Sequence, residues 1–346
     1  MTDSSLEKAL DEESRFWGAA TRLLLDSGEV PYDIDCRRAT KIRNRDILMQ
    51  LGSRRADPRV EDLWRGAIVE TTLDHLESIG AKKVLELGCG AGWLALEMAR
   101  RGFDVEAHDI SQERIRIAEE YFADRAQHEQ LGAVEYRVTD LESFVPQPDT
   151  YDAIVSFTTL HHIRNKRAVI QRCYDALPTG GTFIVFDDDR HSGAWPRRVF
   201  RGLTVASFGL LLLPLPSYVP RRRRFMQAFN PLIEGIVSQR LRQQLRSLAA
   251  PLLWRGQRTG SLAKGSPFEG IHDEHDHASL EEHLMTVFEN VQVKLGESFG
   301  LRFLPVINVP EPMFTAITKG LNALDQRFAA SSLLPGTATF AIARKG

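Results

Sequence analysis

The sequence is poor in cysteine, nearly neutral overall, and without an apolar leader. Its three cysteines, Cys36, Cys89 and Cys173, follow no regular spacing, so we expect neither a disulfide framework nor a zinc site, and a reducing compartment is favoured. A net charge of −2 over 346 residues provides no overall attraction for nucleic acid. Residues 1–8 lack the apolar core of a secretory signal. With 43% hydrophobic residues available for a core, we expect a globular, cytoplasmic protein.

The most informative stretch is a glycine-rich turn between two apolar segments. A short apolar run over 84–87 ends at three alternating glycines, Gly88, Gly90 and Gly92. Glycine lets the backbone approach a ligand closely, since no Cβ intervenes. Residues 93–101 follow with apolar side chains at helical spacing, and Asp109 then closes a second strand. Because an acid at this place can accept hydrogen bonds from both hydroxyls of a ribose, the pattern predicts a nucleoside-cofactor site.

The identity of the nucleoside depends on the residues around the glycines. Dinucleotide-binding loops need a small residue where this chain has Trp93, because helix and strand pack closely there. The pattern Glu86-x-Gly88-x-Gly90-x-Gly92 instead resembles the first motif of class I S-adenosylmethionine-dependent methyltransferases, of the small-molecule or lipid branch. The resemblance implies that S-adenosylmethionine is the cofactor. It also implies that Glu86 organises the methionine end and that Asp109 binds the ribose.

Further cofactor-binding residues are implied at the ends of successive strands. Asp140 matches the acid that meets the adenine amino group in this family, although an aspartate there can also simply cap its own loop. The complete expected set is Glu86, Gly88, Cys89, Gly90, Gly92, Trp93, Asp109, Ile110, Asp140, Leu141, Ser156 and Phe157.

The order of apolar segments predicts an α/β fold. Strand and helix patterns alternate from residue 81 to residue 190, which favours a parallel sheet with helices on both faces. Together with two later strands, 291–295 and 337–344, they predict the Rossmann-like, seven-stranded and mostly parallel sheet of the family, whose last strand is antiparallel. The motifs then converge at the carboxyl ends of the strands.

The chain divides into three parts by composition. Residues 1–80 predict an N-terminal helical cap, in which Trp17, Tyr32 and Trp64 are either lid residues over the cofactor or ordinary core residues. Residues 81–190 and 279–346 form the expected methyltransferase core, where Ser279 and Glu282 have the spacing of a helix capping box. Residues 191–278 are a mostly helical insertion after the fifth strand.

The insertion contains the most apolar segment of the chain, residues 202–220. Prolines at 214, 216 and 220 interrupt it before the roughly 20 apolar residues that a membrane span requires. Arginines flank it on both sides, so residues 197–224 are either a lid or core element with solvated arginines, or an element that contacts an anionic membrane surface. Membrane contact would favour a lipid or lipid-linked acceptor over a soluble small molecule. Both interpretations stay open.

Methyl transfer to a hydroxyl or an acidic carbon needs a base, and histidine titrates in a suitable range. The run Leu160-His161-His162 after the fourth strand resembles the family's small-molecule branch. The candidate catalytic residues are His161 and His162, with His191 and Asp187 behind them. A second histidine cluster over 272–277 predicts polar contacts or a solvated loop, and no metal is expected. The acceptor atom and the oligomeric state are left open.

Three other functions compete with this hypothesis. An RNA methyltransferase would use the arginines of the insertion, but the Asn/Asp-Pro-Pro-aromatic run of amino-directed enzymes is absent, so nucleic acid is not the expected partner. A non-catalytic protein could bind S-adenosylmethionine through the same loop. A nicotinamide dehydrogenase is disfavoured by Trp93.

Overall fold

The computed structural model describes residues 14–15, 18–19, 21–41, 58–188, 280–295 and 338–346, with single positions at 316, 317, 319, 320, 323 and 327. Several predictions lie outside these residues. They concern Trp17, the candidate base His191, the insertion over 191–278 and the cap residue Ser279. No helix within the described ranges is long and apolar enough to cross a membrane.

The predicted alternation of strands and helices is present, as are the two later strands predicted over 291–295 and 337–344, each within one residue of its predicted ends. In chain order the elements are α1 (Pro58–Ser78), β1 (Lys83–Leu87), α2 (Trp93–Arg100), β2 (Asp104–Asp109), α3 (Gln112–Ala126), β3 (Val134–Val138), β4 (Ala153–Phe157), a 3₁₀ turn (Leu160–His162), α4 (Lys166–Ala176), β5 (Thr182–Asp188), α5 (Leu280–Val287), β6 (Asn290–Leu295) and β7 (Ala338–Arg344).

The strands form one seven-stranded sheet in the order β3-β2-β1-β4-β5-β7-β6. The first five strands are parallel, whereas β7 is antiparallel to both β5 and β6. The strand order reverses between β1 and β4, and ligands of such sheets bind at the carboxyl ends of the strands beside this reversal. The predicted Rossmann-like α/β fold is confirmed.

The sheet has a core on each face. Side chains of β1 alternate between the two cores, since Val84 contributes to one while Leu85 and Leu87 contribute to the other. The first core includes residues of α1, α2 and α3, and the second includes residues of α4 and α5. Glu86 shares its face with Val84, so its carboxyl group lies on the side of α2.

A buried ionic network fixes the segment 31–37 against α2 and α3. Asp35 is fully buried, and its two carboxylate oxygens accept hydrogen bonds from Arg100 at 3.0 and 2.9 Å. Tyr121 donates a third hydrogen bond to Asp35 at 3.1 Å. Ile34 packs on Ala91 of the glycine loop and on Ile117 of α3. The segment therefore covers the outer side of the glycine loop.

Candidate functional site

The glycine loop joins β1 to α2. Gly88, Gly90 and Gly92 have φ angles of 76°, 60° and 87°, a region that residues with a side chain rarely adopt. A Cβ on Gly92 would lie 2.7 Å from the Tyr136 hydroxyl, and a Cβ on Gly90 would overlap the guanidinium of Arg114. Both the backbone conformation and the surroundings therefore favour glycine at these positions.

Asp109, the last residue of β2, is bound to the glycine loop. Its Oδ2 accepts a hydrogen bond from the Gly90 N–H and its Oδ1 accepts one from the Ser111 N–H, both at 2.9 Å. A carboxylate offers about four lone-pair positions, so two backbone contacts leave capacity for further donors. The acid predicted to bind a ribose is thus held rigidly beside the loop.

Glu86 lies beneath the loop with only 2% of its surface exposed. The pKa of Glu86 is raised to about 8, chiefly by burial and also by the nearby charge of Asp109, while the Ala95 N–H and the Arg114 guanidinium act in the opposite direction. Its Oε2 has no hydrogen-bond partner among the described residues. A buried carboxylate with an unpaired oxygen destabilises the fold unless a cation or a hydrogen-bond donor contacts that oxygen.

These groups suit the chemistry of the implied cofactor. S-adenosylmethionine carries an ammonium group and a sulfonium, for which the unused Glu86 oxygen is a matching acceptor. It also carries ribose hydroxyls, which match the remaining acceptor positions of Asp109. The residues present therefore fit the cofactor.

The sequence did not indicate Arg114. Ser111 caps the amino end of α3 and accepts a hydrogen bond from the Arg114 N–H at 3.4 Å, which places Arg114 on the first turn of that helix. From there its guanidinium reaches Gly90 and lowers the pKa of both Glu86 and Cys89. The cap at Ser111 was the available signal, but the direction of a long side chain cannot be obtained from helical spacing.

The expected adenine-side residues follow β3. Asp140 accepts hydrogen bonds from the Glu142 N–H at 2.9 Å and from the Ser143 hydroxyl at 3.2 Å, so it caps its own turn. Leu141 is buried in the second core, while Ile110 is half-buried at the end of β2. The loop-capping alternative thus describes Asp140 in this structure, and its contact with adenine stays a prediction.

The other expected cofactor residues form the floor of the loop. The Trp93 ring lies 5.6 Å from Tyr32 and 6.3 Å from Phe157 between centroids, and all three side chains are buried. Ser156 donates a hydrogen bond to the Leu87 carbonyl at 3.3 Å. Cys89 is buried within the loop, where desolvation raises the pKa of its thiol. These residues support the loop from the protein side, and their contact with the cofactor stays a prediction.

A histidine–aspartate pair lies at the carboxyl ends of β4 and β5. His161 Nδ1 is 2.5 Å from Asp187 Oδ1, and the His161 backbone N–H donates to Asp187 Oδ2 at 3.0 Å. Since an ionised carboxylate only accepts hydrogen bonds, Nδ1 is the ring nitrogen that carries the proton in this pair. The His161 side chain is 23% exposed, whereas that of Asp187 is 2% exposed. We call this pair the dyad.

His162 lies beside the dyad, with its ring centroid 4.0 Å from that of His161. The structure thus brings three of the four catalytic candidates, His161, His162 and Asp187, together, and their catalytic role stays a prediction. Among the described residues, no group of three or more histidine, cysteine, aspartate or glutamate side chains has the arrangement of a metal site.

The dyad and the glycine loop belong to one site. The Thr159 hydroxyl is 3.3 Å from the Gly88 carbonyl and 2.9 Å from the Phe157 carbonyl, and a Cβ on Gly88 would overlap the Thr159 side chain. His161 follows two residues later. The arrangement places a basic nitrogen next to a loop that fits a nucleoside cofactor, which suits transfer of a group from that cofactor to an acceptor with an ionisable proton.

Comparison with known proteins identifies a family. A family model described as a methyltransferase domain matches residues 43–243, more than half of the chain. The ubiquinone biosynthesis O-methyltransferase of Acinetobacter baylyi is 30% identical over 142 residues, which cover 41% of this chain and 56% of that protein. The protein of the same name from Dechloromonas aromatica is 29% identical over 143 residues, which cover 41% of this chain and 58% of the relative.

The chain therefore spans little more than half the length of these curated relatives. Among solved structures, a magnesium protoporphyrin IX methyltransferase from Synechocystis PCC 6803 is similar, with a TM-score of 0.33 and 18% identity. That similarity covers 39% of this chain and 64% of the other.

Proposed function

The chain belongs to the methyltransferase domain family, and we propose that it transfers a methyl group to a hydroxyl of a small-molecule or lipid-linked acceptor. Membership confirms the resemblance on which the sequence interpretation was built, including S-adenosylmethionine as the cofactor. The observation that carries the proposal is the dyad, a histidine oriented by a buried carboxylate beside the cofactor loop. The O-methyltransferase relatives support the choice of oxygen as the acceptor atom.

The cofactor would be held by the residues of the glycine loop and by two acids. Glu86 would face its ammonium group, and Asp109 would accept hydrogen bonds from its ribose. When bound, the cofactor supplies a methyl group on a sulfonium that is already a good leaving group. What remains for the protein is to align the acceptor with the methyl carbon and to exclude water.

The dyad would remove the proton of the acceptor hydroxyl. His161 Nε2 takes the proton, because Nδ1 is already protonated and bound to Asp187. Asp187 holds the ring in this tautomer and stabilises the imidazolium that forms, as in other histidine–carboxylate pairs. The second hydrogen bond, which the His161 backbone N–H donates to Asp187, fixes the backbone of His161 as well as its ring. A carboxylate or amine acceptor would have no need of such a base.

The proposal is tested by methyl transfer from radiolabelled S-adenosylmethionine to a set of probes. We would compare catechol and a prenylated catechol in detergent with benzoate and aniline, which offer a carboxylate and an amine. The expected result is label in the hydroxyl probes alone. A preference for the prenylated probe would favour the lipid-linked class, whereas label in aniline or benzoate would contradict O-methylation.

Substitutions then test the base. His161→Gln is expected to lower kcat by about 100-fold, the range over which general bases contribute, without changing cofactor affinity. Asp187→Asn is expected to lower kcat by a smaller factor, because the His161 ring remains but loses its carboxylate partner. His128→Gln, at an exposed histidine after α3, is the matched control and should leave kcat unchanged. If His161→Gln retains the wild-type rate, the dyad is not the base.

A further inference from the structure

Thr158 has a backbone conformation that threonine seldom adopts. It is the first residue after β4 and has a φ angle of 51°. Within the described residues, Asp149 is the one other non-glycine residue with a positive φ, also 51°. The left-handed region is small for residues with a Cβ and is least compatible with branched side chains, so the neighbouring contacts must hold Thr158 there.

Those contacts connect three parts of the site. The Thr158 N–H donates to the Phe186 carbonyl at 2.6 Å and so extends the pairing of β4 and β5 by one hydrogen bond beyond Phe157 and Phe186. Thr159, the next residue, contacts the glycine loop through its hydroxyl. The chain then enters the 3₁₀ turn, where His161 meets Asp187, the residue after Phe186.

The position of the turn follows from this geometry. If the chain continued as a strand after Thr158, His161 would move away from Asp187 along the direction of β4. The left-handed step at Thr158 instead reverses the chain so that His161 comes back over the end of β5. Glycine would adopt that step without strain, but it would also admit many other conformations.

We infer that Thr158 is a positioning residue for the dyad. The Cβ of Thr158, which glycine lacks, restricts the backbone and makes the connection between β4 and the 3₁₀ turn stiff, and the strain is retained because the stiffness keeps His161 on Asp187. Strained backbone of this kind is concentrated at functional sites when the surroundings enforce it. The inference rests on the proposed function, since it assigns a role to Thr158 through the proposed base.

The test compares three variants of the full-length protein. Thr158→Gly removes the strain and the stiffness together. Thr158→Asn keeps a side chain but suits the left-handed region, because asparagine is among the residues that tolerate it best. Asp149→Gly is the matched control, since it removes strain of the same kind before β4, at the amino end of that strand.

The measurement is the exchange with water of the proton between His161 Nδ1 and Asp187, observed by nuclear magnetic resonance on protein with ¹⁵N-labelled histidine. The signal is assigned by its loss in His161→Gln. Urea unfolding of each variant provides the stability readout. Neither measurement requires an acceptor or turnover.

The expected result is a separation of the two readouts. In Thr158→Gly this proton should exchange about tenfold faster than in the wild type. That factor corresponds to the release of a conformational restraint worth roughly 1.4 kcal/mol. The urea midpoint of the variant should stay at or above the wild-type value. Thr158→Asn and Asp149→Gly should exchange at the wild-type rate. A purely structural role would lower the midpoint and loosen the dyad together.

Other results overturn the inference. Wild-type exchange in Thr158→Gly would mean that the hydrogen bonds alone position His161, and equal acceleration in Asp149→Gly would mean that the effect is not local. If Thr158→Gly folds poorly, Thr158→Asn decides, because faster exchange in that variant contradicts the inference and wild-type exchange supports it. These results are independent of the proposed function, which fails separately if His161→Gln retains methyl transfer.

Discussion

Replacing Glu86 by glutamine tests the cofactor site without knowledge of the acceptor. Glutamine has the shape of glutamate but cannot ionise, so the change removes an ionisable group and leaves the packing beneath the glycine loop intact. Glu86 is 2% exposed, and its pKa is raised from 4.5 to about 8, first by burial and then by the neighbouring charge of Asp109. Two measurements follow, one on stability and one on binding.

Because of the raised pKa of Glu86, the free energy of unfolding of the wild-type protein should fall as the pH rises from about 4.5 to about 8. In that window folded Glu86 retains a proton that the unfolded chain has released, and stability decreases with pH wherever the folded state binds more protons. The full difference corresponds to about 5 kcal/mol. Glu86→Gln lacks this contribution, so its advantage over wild type should grow with pH and level off above pH 8.

Urea unfolding at pH 5, 7 and 9 measures this difference. Glu119→Gln, at an exposed position on α3, is the matched control and should follow the wild-type pH dependence. If wild type and Glu86→Gln lose stability in parallel over this range, the raised pKa of Glu86 is wrong.

Binding of S-adenosylmethionine to the cofactor-free protein should have the opposite dependence on pH. The ammonium group of the cofactor favours ionised Glu86, so binding releases a proton below about pH 8 and the affinity rises with pH up to that value. An opposite charge nearby lowers a carboxyl pKa by about 1 unit or more, which gives about a tenfold gain in affinity across the window. Calorimetry in two buffers of different ionisation enthalpy counts the protons, and proton release that persists in Glu86→Gln would exclude Glu86 as their source.

Two further substitutions test the loop and the segment that covers it. Gly90→Arg should abolish binding of S-adenosylmethionine while circular dichroism shows a folded chain, because any side chain at Gly90 has an unfavourable φ and overlaps Arg114; retained affinity would contradict the location of the site. Asp35→Asn should lower the free energy of unfolding by about 3 kcal/mol, since it leaves the buried Arg100 without its main carboxylate; a loss below about 1 kcal/mol in chemical denaturation would mean that the network is relaxed by water.

Much of the fold could be predicted because its signals are local. The apolar runs of β1, β4 and β5 are short and continuous, as buried parallel strands require, and the glycines after β1 require a sharp turn whatever the rest of the chain does. Serine is favoured at helix N-caps, and the Ser111 side chain accepts the corresponding hydrogen bond from the Arg114 N–H. These features depend on neighbours within a few residues.

The site was less predictable because its contacts are distant in sequence or depend on side-chain direction. His161 and Asp187 were both candidates, but their hydrogen bond depends on the adjacency of β4 and β5 and on the turn between β4 and α4. Asp140 has the sequence position of an adenine contact, whereas its hydrogen bonds are those of a turn cap. The strain at Thr158 has no sequence signal, since threonine is an ordinary residue at the end of a strand.

The connection through Thr159 has a consequence for the order of binding. The Thr159 hydroxyl contacts the carbonyl of Gly88, so the glycine loop and the turn that carries His161 cannot shift independently without loss of that hydrogen bond. A cofactor that orders the glycine loop therefore also restricts the turn, and an acceptor that arrives later meets a base with less remaining freedom. The entropy of ordering these groups is lost only once, so each ligand should bind more tightly in the presence of the other.

Reciprocity requires the same factor in both directions. A catechol probe that binds should therefore raise the affinity for S-adenosylhomocysteine by the factor by which S-adenosylhomocysteine raises the affinity for catechol. Thr159→Ala should reduce this coupling while leaving the affinity for each ligand alone nearly unchanged, and coupling that survives the substitution would mean that it travels through another contact.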